Sequence, residues 1–322
     1  MTTETALLES LRALPSLAGA RGLEDDAAVL PFPIGRDLVL TKDMIVEGVH
    51  FLPSDPPGDV AWKLVAVNLS DLAAKGATPF GVLTGYALGD SDEWDAAFVA
   101  GLGRALDHFG VALLGGDTVR MPEGAPRALS LTALGHIVPG TAPDRRAAKA
   151  GDMLWVSGTI GDAGAGLQIA RNDDGPRLLL KRYRLPMPRL ALGKLIAPHV
   201  HAMMDVSDGL LIDAGRIAAA SHVGLTIRLD AVPLSLPLVE FVGNTQETRL
   251  AAATAGDDYE LLFTAPPEAQ DLLQALAVEA RIGITRIGDV TSGHGLNLLH
   301  HGEILALPDR LGYLHQGSCL LP

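Results

Sequence analysis

Pro139-Gly140-Thr141-Ala142-Pro143 is the stretch that most limits how this chain folds. Two prolines and a glycine follow directly on the strand-like run Ala128 to Val138 and interrupt both the two-residue and the 3.6-residue periodicities. A chain broken there must build a core on each side of the break. With 322 residues, 48% of them hydrophobic, it has the apolar side chains to do so. We therefore expect two domains, residues 1–140 and 141–322.

Each half mixes strand and helix patterns. In the first, a helical opening around Leu7 to Leu14 precedes the strand composition of Asp37 to Val46. Trp62, Val65, Leu69, Leu72 and Ala73 fall at helical spacing, which predicts a helix from Trp62 to Lys75 closed by Gly76 and Pro79. A second helix is expected over Asp92 to Phe109, then short strands at Val111 to Leu114 and Ala128 to Val138. The second half restarts with a strand at Met153 to Ser157 and a glycine-rich turn, Gly158 to Gly164. A helix after Asp205-Val206-Ser207-Asp208 and strands at Tyr259 to Thr264, Thr285 to Val290 and Leu296 to Leu299 follow. Such mixing in both halves predicts an α+β class, mixed sheets packed with helices, rather than one barrel.

The acids are placed in a pattern. Asp43 closes an apolar strand, Asp117 follows Leu113-Leu114-Gly115-Gly116, Asp71 lies on the first long helix, and Asp205 and Asp208 flank Val206-Ser207. Isolated buried carboxylates are costly. Oxygen-rich sites of this kind suit hard cations, and Mg²⁺ usually takes one or two carboxylates and completes its shell with substrate phosphates. Several separate acids point to several ions around a polyphosphate. On the helix from Trp62, residues 68, 71 and 75 share the side opposite the apolar stripe, so Asn68, Asp71 and Lys75 equally suit a solvated face.

Composition narrows the partners. A net charge of −13 and the absence of any Lys/Arg block argue against nucleic acid. Bound phosphates would need imported positive charge, and divalent metal is its obvious source. No apolar run approaches the ~18 residues of a spanning helix, and the start Met1-Thr2-Thr3-Glu4 lacks the basic opening of a signal peptide, so a cytoplasmic protein is expected. The single cysteine, Cys319, excludes an internal disulfide and a cysteine-based metal cluster. A Walker loop is missing, since the one Gly-Lys pair, Gly193-Lys194, runs into Leu195. Gly161-Asp162-Ala163-Gly164-Ala165-Gly166 does not fit dinucleotide spacing, and a tight strand-to-helix turn accounts for it at least as well. His199, His201, His300 and His301 lack nearby acids or cysteines in sequence and read as surface residues.

Six segments in order give a resemblance. They are Asp25-Asp26-Ala27-Ala28, Asp43-Met44-Ile45-Val46-Glu47-Gly48-Val49-His50-Phe51, Asn68-Leu69-Ser70-Asp71-Leu72-Ala73-Ala74, Gly115-Gly116-Asp117-Thr118, Asp205-Val206-Ser207-Asp208-Gly209-Leu210 and Gly256-Asp257-Asp258-Tyr259-Glu260-Leu261. Together they resemble the thiamine-monophosphate kinase family. The resemblance implies the two-domain fold of aminoimidazole ribonucleotide synthetase and selenophosphate synthetase, commonly a homodimer joined through N-terminal sheets. It implies transfer of phosphate from ATP to thiamine monophosphate, giving thiamine diphosphate and ADP. It also implies Mg²⁺ at Asp26, Thr41, Asp43, Asp71, Asp117, Asp205 and Asp208. Gly116, Asp117, Arg145 and Ser207 would lie against ATP, and His50, Asp257 and Tyr313 against the thiamine substrate. No catalytic side chain is expected, because the acceptor phosphate oxygen is already anionic and direct in-line transfer suffices.

Two positions depart from the family pattern. Glu24 stands where glycine is common, and Lys42 replaces a small hydroxyl residue. Lys42 either points away from Asp43 across the strand or joins the cation positions and replaces part of one ion's charge. Two alternatives accompany the kinase reading: another ATP-dependent synthetase of the superfamily, and a non-catalytic nucleotide- or divalent-ion-binding regulator. A reactive cysteine near the N-terminus would favour selenophosphate synthetase, and Cys319 is at the other end.

Overall fold

The computed structural model describes residues 4–24, 27–88, 91–172 and 174–314. It divides into two compact units. The first runs through Pro143 and also takes in Ile169–Asp174 and Arg184–Pro198; the second takes the remaining segments from Asp144 onward. Two returns of the chain to the first unit thus cross the linear break read from the prolines.

The first unit contains α1 (Glu4–Arg12), β1 (Asp37–Val46), α2 (Pro57–Ala74), β2 (Thr78–Leu88), α3 (Asp92–Phe109), β3 (Ala112–Arg120) and β4 (Ala128–Ile137). Its sheet has the order β1-β4-β2-β3, with β1/β4 and β4/β2 antiparallel and β2/β3 parallel across the α3 crossover. Burial alternates along β4, with Leu129, Leu131 and Ala133 fully buried and their neighbours partly open, as a sheet covered on one face requires.

α2 lies against that covered face. Val60, Ala61, Leu64, Val65, Leu69 and Leu72 are buried, and so are Asn68 and Ser70, both at 0% exposure. The polar side of α2 is therefore not a solvated face. Asn68 has specific work: its Oδ1 accepts the Asp43 N–H at 2.8 Å, and its Nδ2 donates to Leu64 O at 2.9 Å. β1 is an edge strand, and the Asn68 amide supplies the acceptor that a neighbouring strand would otherwise give to Asp43.

The second unit begins with β5 (Met153–Ser157) and α4 (Asp162–Asn172), whose last turn returns to the first unit. Next come α5 (Arg177–Arg184) and, after α6 (Leu190–Ile196) in the chain's second return to the first unit, β6 (Ala202–Asp205), α7 (Leu210–Ser221), β7 (Gly224–Arg228), α8 (Leu236–Val242) and α9 (Gln246–Ala255). The chain then forms β8 (Leu261–Ala265), α10 (Gln270–Ala280), β9 (Ile284–Thr291), β10 (Gly295–His300) and β11 (Glu303–Leu305). The second sheet has the order β11-β10-β7-β9-β5-β8-β6. Its core gathers Leu154, Val156, Met204, Leu211, Ile217, Leu225, Leu262 and Ile287.

α6 belongs to the first unit and packs on the C-terminal end of α2. A Cβ at Gly193 would stand 2.1 Å from Ala73 O, so the two helix backbones approach as only glycine allows. Gly193→Ala is expected to cost about 1–3 kcal/mol by overpacking, with each kcal/mol lowering the melting midpoint by about 2–4 °C in calorimetry. An unchanged midpoint would show that the helices separate without penalty.

Candidate active site

In the first unit, β1 and α2 assemble the acids. Thr41 and Asp43 alternate onto the face of β1 that α2 covers, while Leu38, Leu40, Lys42 and Met44 on the other face are exposed. The Thr41 hydroxyl donates to the Asp71 carboxylate. Asn68 fixes the backbone at Asp43, so one turn of helix holds two adjacent inward positions of the strand. The donors are oxygens only, carboxylate and hydroxyl, which suits a hard cation that takes its remaining ligands from phosphate and water. Among the described residues no three His, Cys, Asp or Glu side chains converge on one point. These donors therefore fit Mg²⁺ shared with a substrate rather than a closed protein cage.

Strand alternation corrects one expected cation position. Lys42 lies on the face of β1 opposite Thr41 and Asp43, so it does not stand beside the Asp43 carboxylate. Asp117 is not brought to that face either. Across the sheet Met44, Ser130, Gly85 and Asp117 are in register, as are Asp43, Leu131, Thr84 and Gly116. Gly116 thus shares the row of Asp43, whereas Asp117 is exposed on the outer face with Lys42. Asp26 lies outside the described residues.

His50 sits in the turn after β1. Its Nδ1 accepts the Val46 N–H at 3.1 Å, and its carbonyl accepts from the buried Lys63 ammonium at 2.9 Å. The first bond puts the proton of the neutral ring on Nε2. The partly buried ring is oriented by backbone, with Phe51 packed beneath the turn at 3% exposure.

In the second unit, three segments converge around Ser207-Asp208. Asp257 N–H donates to Ser207 O at 2.7 Å, Tyr259 N–H to Val206 O at 2.8 Å, and Tyr313 N–H to Asp208 O at 2.8 Å. Asp205, at the end of β6, is 7% exposed. Asp257 and Tyr259 have φ of 63° and 50°, a conformation uncommon outside glycine, and those backbone bonds hold them in it. The Tyr259 hydroxyl donates to Asp257 Oδ1 at 3.1 Å. Ser207, Asp208, Asp257 and Tyr313 are thereby one neighbourhood. Arg145 is exposed, and beside it Arg146 is clamped on Asp144 by Nε bonds of 3.0 and 2.9 Å, so Arg145 is the member of the pair without that commitment.

Two residues central to this neighbourhood escaped sequence reasoning. Asp213, fully buried on α7, accepts the N–H groups of both Ser207 and Asp208 at 3.1 Å and the Arg216 guanidinium at 2.6 Å. Arg216 also reaches Asp208 at 2.6 Å. Burial pushes the Asp213 carboxyl up to about 6, against the lowering pull of Arg216. Asp258 caps the glycine turn: the Gly161 N–H donates to its two oxygens at 2.9 and 3.0 Å. The turn is thus a strand-to-helix junction tied to a partly buried acid. His201 also differs from its surface reading, since its Nδ1 stands 2.9 Å from the buried carboxylate of Asp152.

Burial raises the Asp258 carboxyl well above the ordinary carboxylate range; the Gly161 N–H opposes this, while Asp162 and Glu260 add to it. The native chain therefore keeps a proton here at pH values where an unfolded aspartate, near about 3.9, has lost it. Stability from this group is complete below pH ~4 and is lost as pH rises toward the native value. Asp258→Asn is expected to flatten that part of the fall in melting midpoint above pH ~4. Parallel profiles for variant and wild type would refute the shift.

Comparison with known proteins bears on what this arrangement belongs to. The model for AIR synthase related protein, N-terminal domain, matches residues 24–137, and that for AIR synthase related protein, C-terminal domain, matches residues 149–301. The thiamine-monophosphate kinase of Caulobacter vibrioides is 40% identical over 303 residues, covering 92% of this chain and 85% of its own. The chain belongs to the thiamine-monophosphate kinase family. The crystal structure of that kinase from Stenotrophomonas maltophilia K279a superposes with a TM-score of 0.80 at 39% identity, covering 88% of this chain and 90% of its own. AaThiL complexed with AMPPCP and TMP gives a TM-score of 0.76 at 28% identity, over 98% of this chain and 99% of its own. The expected two-domain α+β fold of the synthetase superfamily is thus the observed one. No helix among the described residues is long and apolar enough to cross a membrane.

Proposed function

We propose that this chain is a phosphotransferase that moves the terminal phosphate of ATP onto thiamine monophosphate, giving thiamine diphosphate and ADP. The observation that carries the reading is 40% identity to a curated thiamine-monophosphate kinase across 92% of the chain. The oxygen donors of Thr41, Asp43 and Asp71 are its chemical counterpart.

Thr41, Asp43 and Asp71 in the first unit, and Asp205 and Asp208 in the second, are the residues that would hold Mg²⁺; Asp117, on the outer face of the first sheet, is not among them. Mg²⁺ held there would supply charge neutralisation to the phosphates during in-line displacement. The protein's own part is to fix donors. Asn68 sets the Asp43 backbone, the Thr41 hydroxyl orients the Asp71 carboxylate, and Asp213 holds the Ser207-Asp208 backbone against motion. Gly116, Ser207 and Arg145 serve ATP; His50, Asp257 and Tyr313 serve the thiamine substrate, with His50 donating from Nε2. No side chain is phosphorylated on the way.

ADP release by the purified protein, measured with and without thiamine monophosphate and with and without Mg²⁺, tests this. Turnover should require both. Tight ATP binding with no thiamine-dependent turnover would make the protein a nucleotide-binding regulator instead. A trapped phosphorylated side chain would end the direct-transfer mechanism. The same reading puts the enzyme in the cytoplasm.

The working form we infer is a homodimer joined through the outer face of the first sheet. Leu38, Leu40, Met44, Leu83 and Val119 stand there at 47, 60, 52, 38 and 52% exposure. An apolar stripe of that kind on a soluble surface marks an interface. Leu40→Glu is expected to shift the sedimenting species from dimer to monomer; a wild-type monomer at micromolar concentration would contradict the assignment.

A further inference from the structure

A cavity of about 200 Å³ opens in the first unit, at the end of the sheet where β1 begins. Arg36, Thr78, His136, Thr141 and Lys194 line it together with Gly76, and no acid is among the lining residues. In a chain of net charge −13 such a concentration of basic groups is against the average. It is also well away from the acids described above. Asp43 follows Arg36 by seven positions along β1, roughly 23 Å of extended chain.

The cavity is built by backbone, not by chance meeting of surface side chains. Register sets His136 between Leu38 on β1 and Thr78 on β2. Gly76, at φ 67°, ends α2; a Cβ there would stand 2.4 Å from the Ala197 Cβ and 3.1 Å from Gly193 O. That contact, with the Gly193–Ala73 approach, seats α6 so that the very next residue, Lys194, reaches the rim. Neither Arg36 nor Lys194 has an ion-pair partner among the described residues. Asp37, the acid nearest to Arg36 in sequence, accepts the Gly140 N–H at 3.1 Å, and the Thr141 hydroxyl donates to Val138 O at 2.7 Å. Charge, rather than hydroxyl bonding, is what the cavity offers.

We propose that this cavity is a second anion site that takes a small phosphate or diphosphate group on Arg36, Lys194 and His136. Arg36 presents the planar fork suited to phosphate oxygens, and Lys194 a point charge beside it. The volume is below the ~300–1,000 Å³ of pockets that enclose a drug-sized ligand. The occupant is therefore a free phosphate ion or the phosphorylated end of a molecule whose remainder stays in solvent. The site stands on its own geometry and is independent of the kinase reading.

Calorimetric titration of the full chain with inorganic pyrophosphate, in EDTA so that the acidic positions hold no metal, tests it. Wild type should bind, and Arg36→Gln and Lys194→Gln should each weaken binding by about tenfold or more, as expected for loss of one charge-assisted contact. Both side chains are exposed, so folding is preserved, and Mg²⁺-dependent ATP binding should stay at the wild-type level in each variant. A parallel arm with methyl diphosphate separates the two sources: equal affinity identifies an esterified end, and preference for pyrophosphate identifies the free ion. No binding to wild type, equal binding to the variants, or binding lost in Asp71→Asn but kept in Arg36→Gln would overturn the proposal.

Discussion

Asp71→Asn is expected to lower the rate of thiamine monophosphate phosphorylation by about 10²–10³-fold, and Asp43→Asn by a similar factor. A metal-held phosphoryl group contributes several kcal/mol of charge stabilisation in the transition state, and each ~1.4 kcal/mol is tenfold in rate. Asparagine keeps the shape and an oxygen but not the charge. At Asp71 it also keeps an acceptor for the Thr41 hydroxyl, so the β1–α2 packing survives and the melting midpoint should barely move. Raising Mg²⁺ should recover part of the loss if the defect is weakened ion binding. Thr41→Ala separates the two roles of this pair: it removes the hydroxyl that orients Asp71 and leaves the charge, so a smaller loss, of about tenfold, is expected. Near-normal turnover in both asparagine variants would remove Asp43 and Asp71 from the metal assignment.

How much of this was legible in the sequence depends on whether the deciding partner was local. β1 has the bounds read from composition, Asp37–Val46, because one covered face leaves a two-residue alternation in the chain itself. β2 went unread because Pro79, Gly81 and Gly85 look like breakers. The sheet accommodates them with register shifts between Pro79 and Gly81 and between Val82 and Leu83, which only the neighbouring strands reveal. The polar side of α2 was misread for a related reason: Asn68 looks solvated until the edge of β1 is laid on it. His201 looked like a surface residue because its acid, Asp152, is 49 positions away. The acids themselves were readable at the ends of apolar runs, yet only register tells that Asp43 and Asp117 occupy opposite faces.

Asp213→Ala is expected to destabilise the second unit by about 2–6 kcal/mol, at about 1–3 kcal/mol for each of the two backbone N–H groups it leaves unsatisfied. Two backbone donors, the Ser207 and Asp208 N–H groups, lose their acceptor at once, and the Arg216 guanidinium is left with Asp208 alone. The sequence hid this residue inside the apolar helix Leu210–Ser221, where a lone acid reads as a surface position. Asp213→Leu combined with Arg216→Met should recover part of the stability, because apolar side chains of similar volume refill the buried position that alanine leaves empty. It should not recover function to the same extent. The two backbone N–H groups remain unsatisfied at about 1–3 kcal/mol each, and the Ser207-Asp208 turn loses the anchor that places it. The KM for ATP should therefore stay raised in the double variant while its melting midpoint returns toward wild type. If KM and midpoint instead recover together, Asp213 acts through stability alone and has no positioning role at the nucleotide.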